Sequence, residues 1–305
     1  MLPAPTRAYG WRPDHPDHRD YLLVDHVELP AIASLPARVD LRETGFLDDS
    51  IFDQLRLGAC VENATAEGLM YVQRATGLWA RGLRVTPSRL AMYYWVRQIE
   101  GTTSEDAGSE IRDALKVVAG KPGYVDEATW PYEVDRFSEA PPPAVVQAAG
   151  SDRATKYMRV AVNATAMRQA LAAGFPVIVG FEVYQEIESD QVARTGYLPR
   201  PSRGEEAIAG HAVLLVGYDD ARRRWLLRNS WGPGWGMGGY FETDYGYLDS
   251  TTYGGDYWVI QAEVEGDQPA PPPSPTPTPD PLHELAAALR QAWTAIETWL
   301  ARHNL

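Results

Sequence analysis

Three residue types in one chain could together cut or transfer an acyl group: a lone cysteine, a histidine opening a core strand, and an asparagine at a strand end. Cys60 lies in "FDQLRLGACVENATAEGL" and is the only cysteine among 305 residues, so it cannot form an internal disulfide. A buried cysteine ordinarily acts as a small hydrophobe. Three features argue for more. Cys60 heads an apolar-periodic run, where the exposed N–H groups and dipole of a helix start stabilise a thiolate. Gly58 allows close backbone approach just before it. Gln54 supplies a side-chain amide donor six residues upstream.

A thiolate also needs a base. Five of the six histidines, His15, His18, His26, His283 and His303, fall in the first 34 residues or beyond residue 266. Only His211, in "GHAVLLVGYDD", opens a predicted core strand. Then comes "LLRNSWGPGWGMGGYF" (226–241), which places Asn229, Trp231 and Trp235 among five glycines. An asparagine at a strand end can orient an imidazole, and the tryptophans can equally be packing residues.

The elements that must position these residues change character along the chain. From Cys60 to Ala75 the spacing predicts a helix, with Val61, Ala64, Gly68, Leu69, Val72 and Ala75 on one stripe. Thr86-Pro87 reads as an N-cap followed by proline at the first helical position, opening a second helix through Leu90, Tyr93, Tyr94 and Val96. A third starts near Ser109 and buries Ile111, Ala114, Leu115 and Val118. A short helix follows around 166–173. Then five segments read as strands: 175–184, 211–219, 224–229, 239–245 and 257–264. A helical lobe at about 54–150 followed by a β lobe at about 151–265 implies an α+β fold with a cleft between the lobes, where ligands usually bind.

With these elements in place, the chain resembles the papain-like cysteine peptidases over residues 35–265. The motifs are "DQLRLGAC", "DAGSEIRDALKVV" with "WPYE", "GHAVLLVGY" and "RNSWGPGWGMGGYF". They occur in the family's order, with 151 residues from Cys60 to His211 and 18 from His211 to Asn229. The resemblance implies a two-lobed α+β fold, a helical lobe beside an antiparallel barrel-like β lobe, and a cysteine peptidase working through a thioester acyl-enzyme. Cys60 would be the nucleophile, His211 the base and then the acid, and Asn229 the residue orienting the imidazole. Gln54 would help to bind the oxyanion, and Trp231 would shield the Asn–His hydrogen bond from water. Gly108, Ser109 and Gly210 would bind the substrate backbone. Acyl transfer to an amine uses the same triad and stays open, as does a non-catalytic binding or assembly protein that keeps the fold.

Some positions depart from the family pattern. Leu57 and Asp106 stand where secreted members commonly carry a bridged pair of cysteines. Val61 follows the nucleophile where an aromatic is usual, Gly210 replaces Asn or Asp, and Ser109 replaces one of two paired glycines. These changes leave the chemistry intact and alter the subsites.

The net charge of −13 argues against binding to nucleic acid or an anionic membrane. No secretory signal and no membrane-spanning run is evident. Together with the single cysteine this predicts a cytoplasmic protein. The resemblance implies a polypeptide substrate and no metal or organic cofactor. Residues 1–34, with Trp11 and the Asp14, His15, Asp17, His18, Asp20 cluster, read as a solvated, extended leader rather than a metal site. They could pack on the surface or partly cover the cleft. Residues 266–281 form a proline-rich linker. Residues 282–305 read as an amphipathic helix whose apolar stripe must be covered by a partner protein, by a second copy or by its own domain.

Overall fold

The chain builds helices first and strands later in the computed structural model, which describes residues 7–82, 85–149 and 155–262. Helix α1 (Leu23–His26) and strand β1 (Arg38–Asp40) precede α2 (Cys60–Ala75), α3 (Arg89–Glu100), α4 (Ile111–Ala119) and α5 (Pro143–Ala149). Strand β2 (Thr155–Arg159) opens the second half. It is followed by α6 (Ala164–Ala172), β3 (Val177–Val183), α7 (Asp190–Thr195), β4 (Tyr197–Leu198) and β5 (Ala209–Asp219). The order closes with β6 (Arg224–Arg228), β7 (Tyr240–Asp244), α8 (Tyr245–Leu248) and β8 (Gly254–Ala262). This is the expected α+β class.

The strands make one sheet in the order β2-β8-β3-β5-β6-β7-β4, with β1 pairing to β5. All pairings are antiparallel except β4 with β7. The sequence reading missed β1, β2 and β4. The first and last are too short to show a period, and β2 mixes Lys156 and Arg159 with its apolar residues.

Helix α2 is buried almost all round, from Cys60 through Gln73. It lies between the sheet, chiefly β5 and β8, and helices α3 and α4. Gly68 is the contact point with the sheet, facing the Cδ1 methyls of Ile260, Ile178 and Leu214. A methyl group there would just reach ordinary contact with these methyls, so a side chain larger than alanine would push helix and sheet apart. Helix α3 starts later than Thr86-Pro87 suggests. Ser88 is its N-cap, accepting from the Ala91 N–H at 3.2 Å. Pro87 instead pairs with Asp126 in an isolated bridge, which holds its backbone extended.

The leader departs most from expectation. Rather than lying solvated, it buries Trp11, Asp14 and Leu23. The Asp14 carboxylate accepts from the Arg112 N–H at 3.0 Å and from the Trp258 Nε1–H at 2.9 Å. Arg159 reaches Asp256 at 2.6 Å and Asp20 at 3.2 Å, and Arg112 holds Asp20 at 2.7 Å. Asp14 and Asp20 are thus counter-ions of arginines on α4 and β2, whereas Asp17 pairs with Arg19 of the leader itself. No described helix is long and apolar enough to cross a membrane. The proline-rich linker and the amphipathic helix predicted over 282–305 lie outside the described residues.

Candidate active site

The first turn of α2 presents Cys60, and no side chain caps the helix start at Ala59. Its thiol is fully buried. Burial pushes the thiol up to about 12; backbone N–H groups of Ala212, Gly10 and Trp11 partly offset this, whereas the Glu62 carboxylate adds to it. Ala212 is the neighbour of His211 on β5, so the sulfur lies against the strand that carries the imidazole.

His211 Nε2 is 2.8 Å from Asn229 Oδ1. The Ser230 N–H donates to the same oxygen at 2.9 Å, which fixes that atom as the amide oxygen. The imidazole therefore carries its hydrogen on Nε2, and Nδ1 holds the lone pair. Nδ1 has no hydrogen-bond partner among the described residues. Trp231 stacks on the imidazole, with centroids 4.8 Å apart and planes at 22°. Burial pulls His211 down to about 4 against the opposing Asn229 hydrogen bond, and the Arg7 charge lowers it further.

Gln54 is tied to the same segment as Asn229. Its backbone N–H donates to the Ser230 carbonyl at 2.9 Å, and its Oε1 accepts from the Ser230 hydroxyl at 2.6 Å. This leaves Nε2 to donate to the Leu57 carbonyl at 3.1 Å and to the Ala8 carbonyl at 3.0 Å. Arg228 anchors the strand end beside Asn229. It is ion-paired with Glu67 of α2 at 2.9 Å and donates to the Asp48 and Ser50 carbonyls at 2.6 Å each. A buried arginine with this many partners holds β6 to the helix that bears the thiol.

The leader fills the remaining space. The Ser109 N–H donates to the Gly10 carbonyl at 2.7 Å, the Arg12 N–H to the Ser109 carbonyl at 3.0 Å, and the Trp11 N–H to the Gly210 carbonyl at 3.1 Å. Trp11 and Ser109 form a parallel bridge. Gly10 lies so close to Gly58 that a methyl group on it would meet the Gly58 backbone, and Gly10 in turn lies against Gly108. The Tyr9 ring stands edge-on to His211 at 5.6 Å and to Trp231 at 5.8 Å, and its hydroxyl donates to Glu188.

The structure thus brings Cys60, His211, Asn229, Gln54, Trp231, Gly108, Ser109 and Gly210 to one place. Sequence reasoning missed Ser230, which links Gln54 to Asn229, and the buried Glu62, whose Oε1 accepts from the Ser109 hydroxyl at 2.7 Å. It also missed Tyr9 and Gly10. Trp11 was the one visible signal there, an indole in a segment with no other periodic apolar residue.

Residues 35–254 match the model of the papain family cysteine proteases. An uncharacterized peptidase C1-like protein of Acanthamoeba polyphaga mimivirus is 31% identical over 280 residues, 84% of this chain and 87% of that protein. Cathepsin J of Mus musculus is 26% identical over 72% of this chain and 66% of its own length. Among solved structures, xylellain, a cysteine protease from Xylella fastidiosa, aligns with a TM-score of 0.74 at 32% identity, covering 87% of this chain and 99% of its own. A cysteine protease of Carica candamarcensis, solved with E-64, shares the fold at a TM-score of 0.56 and 23% identity, covering 75% of this chain and all of its own. The two-lobed architecture, the order of the motifs and these matches agree: the chain belongs to the papain family, and it is a cysteine peptidase.

Proposed function

We propose that Cys60, His211 and Asn229 form the catalytic triad, that Gln54 binds the oxyanion, and that the enzyme hydrolyses peptide bonds in a cleft its own leader keeps closed. The observation that carries this reading is a polypeptide already lying in the cleft. The backbone of residues 10–12 is paired to Ser109 and Gly210, and the Ala8 carbonyl oxygen is held by Gln54.

In the open enzyme Cys60 gives its proton to His211 Nδ1, and the thiolate attacks the scissile carbonyl carbon. The carbonyl oxygen takes the negative charge and is stabilised by Gln54 Nε2–H and the Cys60 N–H. His211 returns the proton to the leaving amine as the C–N bond breaks, leaving a thioester on Cys60. Water, deprotonated by His211, attacks that thioester and regenerates the thiol. Asn229 keeps the ring oriented throughout, and Trp231 covers that hydrogen bond.

The leader is a poor substrate because it offers the sulfur N–H groups of Gly10 and Trp11, not a carbonyl carbon. With both partners buried, neutral thiol and neutral imidazole are favoured over the ion pair. The absence of a second cysteine in the chain supports a reducing, cytoplasmic setting.

Cleavage-site profiling tests the reading. The full chain carrying Gly10→Val with Trp11→Ala, which evicts the leader, is expected to generate new peptide termini from a peptide mixture. Adding Cys60→Ala to it should abolish them. Termini that persist after Cys60→Ala would assign the chemistry elsewhere. Ligated products in the presence of an added amine would assign transfer in place of hydrolysis.

A further inference from the structure

We propose that Glu62, a carboxyl buried two residues beyond Cys60, is a positioning residue: through the Ser109 hydroxyl it holds the peptide-pairing backbone of Ser109 in register with the nucleophile. The inference rests on the peptidase reading above and concerns how that same site aligns a peptide.

Glu62 lies in the first turn of α2 and is fully buried. A carboxyl in such a place is costly unless a partner needs it, and an apolar residue would fill the space at lower cost. Glu67, the other buried acid of this helix, has the Arg228 guanidinium as its partner. For Glu62 the side-chain partner among the described residues is Ser109, whose hydroxyl donates to Oε1 at 2.7 Å. Oε2 is buried without a hydrogen-bond partner among the described residues. Burial pushes this carboxyl up to about 8 against the Ser109 hydrogen bond; Glu100 of α3 adds to the rise and Arg97 opposes it. At neutral pH the side chain is therefore a neutral acid offering Ser109 one accepting oxygen. A glutamine would offer the same.

What Glu62 holds is the residue that does the pairing. The Ser109 N–H donates to the Gly10 carbonyl at 2.7 Å, and its carbonyl accepts from the Arg12 N–H at 3.0 Å. Both backbone groups face the peptide in the cleft, so only the hydroxyl is left to tie Ser109 to α2. That hydroxyl is not spent on the helix that follows, since no side chain caps the start of α4. One residue earlier, the Gly108 N–H donates to the Tyr93 hydroxyl at 3.2 Å. The segment is thus fastened to α3 at Gly108 and to α2 at Ser109. Glu62 and Cys60 share one helical turn, so the Ser109 anchor and the sulfur keep a fixed separation. A peptide paired to Ser109 then arrives with its carbonyl at a set distance from the thiol, and small errors in such placement cost large factors in rate.

The test uses the full chain with the leader evicted by Gly10→Val and Trp11→Ala as the parent. Onto it are placed Glu62→Leu, Glu62→Gln, Ser109→Ala and the pair Glu62→Leu/Ser109→Ala, with circular dichroism melts to confirm folding. Two substrates are compared: an acetylated peptide long enough to pair with Ser109, and p-nitrophenyl acetate, whose acyl group is too short to reach it. Glu62→Leu is expected to lower kcat/KM for the peptide at least about tenfold and that for the ester less than about threefold. Glu62→Gln should restore the peptide value. Ser109→Ala should reproduce the split, and the pair should be no worse than either single change. An equal loss on both substrates, an unchanged peptide value, additive effects in the pair, or a glutamine that fails to restore overturns the proposal. If Glu62→Leu does not fold, Ser109→Ala decides alone: the same split supports the anchor, and a uniform loss or no change overturns it. If the parent turns over neither substrate, the peptidase reading fails and the anchor is judged by binding. The peptide is then titrated onto Cys60→Ala in the parent, with and without Ser109→Ala and Glu62→Leu. Binding weaker by about tenfold in either folded variant supports the anchor; equal binding overturns it.

Discussion

The side-chain amide of Gln54 donates to the carbonyl oxygen of Ala8 at 3.0 Å, so the donor assigned to the oxyanion holds a carbonyl of the enzyme's own leader. The same glutamine is braced by Ser230, one residue from Asn229. The leader thereby engages the oxyanion donor, the imidazole wall through Tyr9, and the substrate backbone through Gly10 to Arg12. Displacing it should change every property of the site at once.

Activity is expected to rise when the leader's anchors are removed. Truncating a buried tryptophan typically costs about 3–5 kcal/mol, and every ~1.4 kcal/mol shifts an equilibrium tenfold. Trp11→Ala in the full chain should therefore raise peptide turnover by at least about a hundredfold. Gly10→Val should act in the same direction by steric conflict with Gly58. Turnover equal to wild type in both folded variants would show that the leader does not limit access.

Thiol reactivity should report the same opening. With its thiol held up at about 12, Cys60 in the closed chain reacts slowly with iodoacetamide at pH 8, and the rate climbs with pH. In Gly10→Val/Trp11→Ala the sulfur regains solvent and an imidazole able to take its proton. Labelling at pH 8 is expected to be at least about a hundredfold faster, since each unit of thiol acidity is about tenfold in thiolate fraction. Equal labelling rates would refute burial by the leader.

Removing Gln54 Nε2 should act on the chemical step. In the evicted background Gln54→Ala is expected to lower kcat about 10²–10³-fold, the usual effect of deleting one oxyanion donor, with KM changed far less. Gln54→Glu keeps the acceptor for Ser230 but loses the donor. A full-activity Gln54→Glu would remove Gln54 from the mechanism.

Leader docking should depend on pH through Asp14. Its carboxyl is pushed up to about 7, first by burial and then by the Asp256 charge, against the Arg112 hydrogen bond and charge and the Trp258 hydrogen bond. Arg159 and Asp20 complete its surroundings. The docked state binds the proton more tightly than a released leader, whose aspartate titrates near its ordinary 3.8. Docking support from this group is complete below that value and is lost as pH rises through about 7. His211, pulled down to about 4, has the opposite slope between there and its ordinary 6.5. Comparing wild type with Asp14→Asn isolates the aspartate. Wild-type docking, read by iodoacetamide protection, should weaken relative to Asp14→Asn as pH is raised toward 7. Parallel pH curves would contradict this.

Asp106 stands at one of the two positions where a disulfide is common in secreted relatives, and here its carboxylate accepts from the Gly58 N–H at 3.0 Å and from the Tyr93 hydroxyl. It fastens the Gly108–Ser109 segment to the chain just before Cys60. Because Asp106 is exposed, Asp106→Ala is expected to cost only about 1 kcal/mol. A calorimetric melting temperature a few degrees lower, with weaker peptide binding in the evicted background, would agree. An unchanged melt would show that the bridge is idle.

Much of this molecule was legible in the order of its residues. Cys60 at a helix start follows from the apolar stripe behind it. His211 and Asn229 were marked because strand periodicity gave each a place at a strand end. The start of α3 was misplaced by two residues because Ser88, not Thr86, finds an N–H to cap, and that choice depends on Pro87 pairing with Asp126 far along the chain. Strands β1 and β4 were invisible because three and two residues cannot display a period.

The sequence by itself determined the family, through motifs that place a thiol and an imidazole between two amides, and it determined the change from helices to strands through local periodicity. Only the tertiary structure decided where the leader goes. Its contacts join residues 8–14 to partners as distant as Asp256 and Trp258, and no local pattern encodes a pairing across that separation. Whether the thiol is poised or silenced was likewise decided in three dimensions, because burial, not residue type, sets the proton affinities of Cys60 and His211.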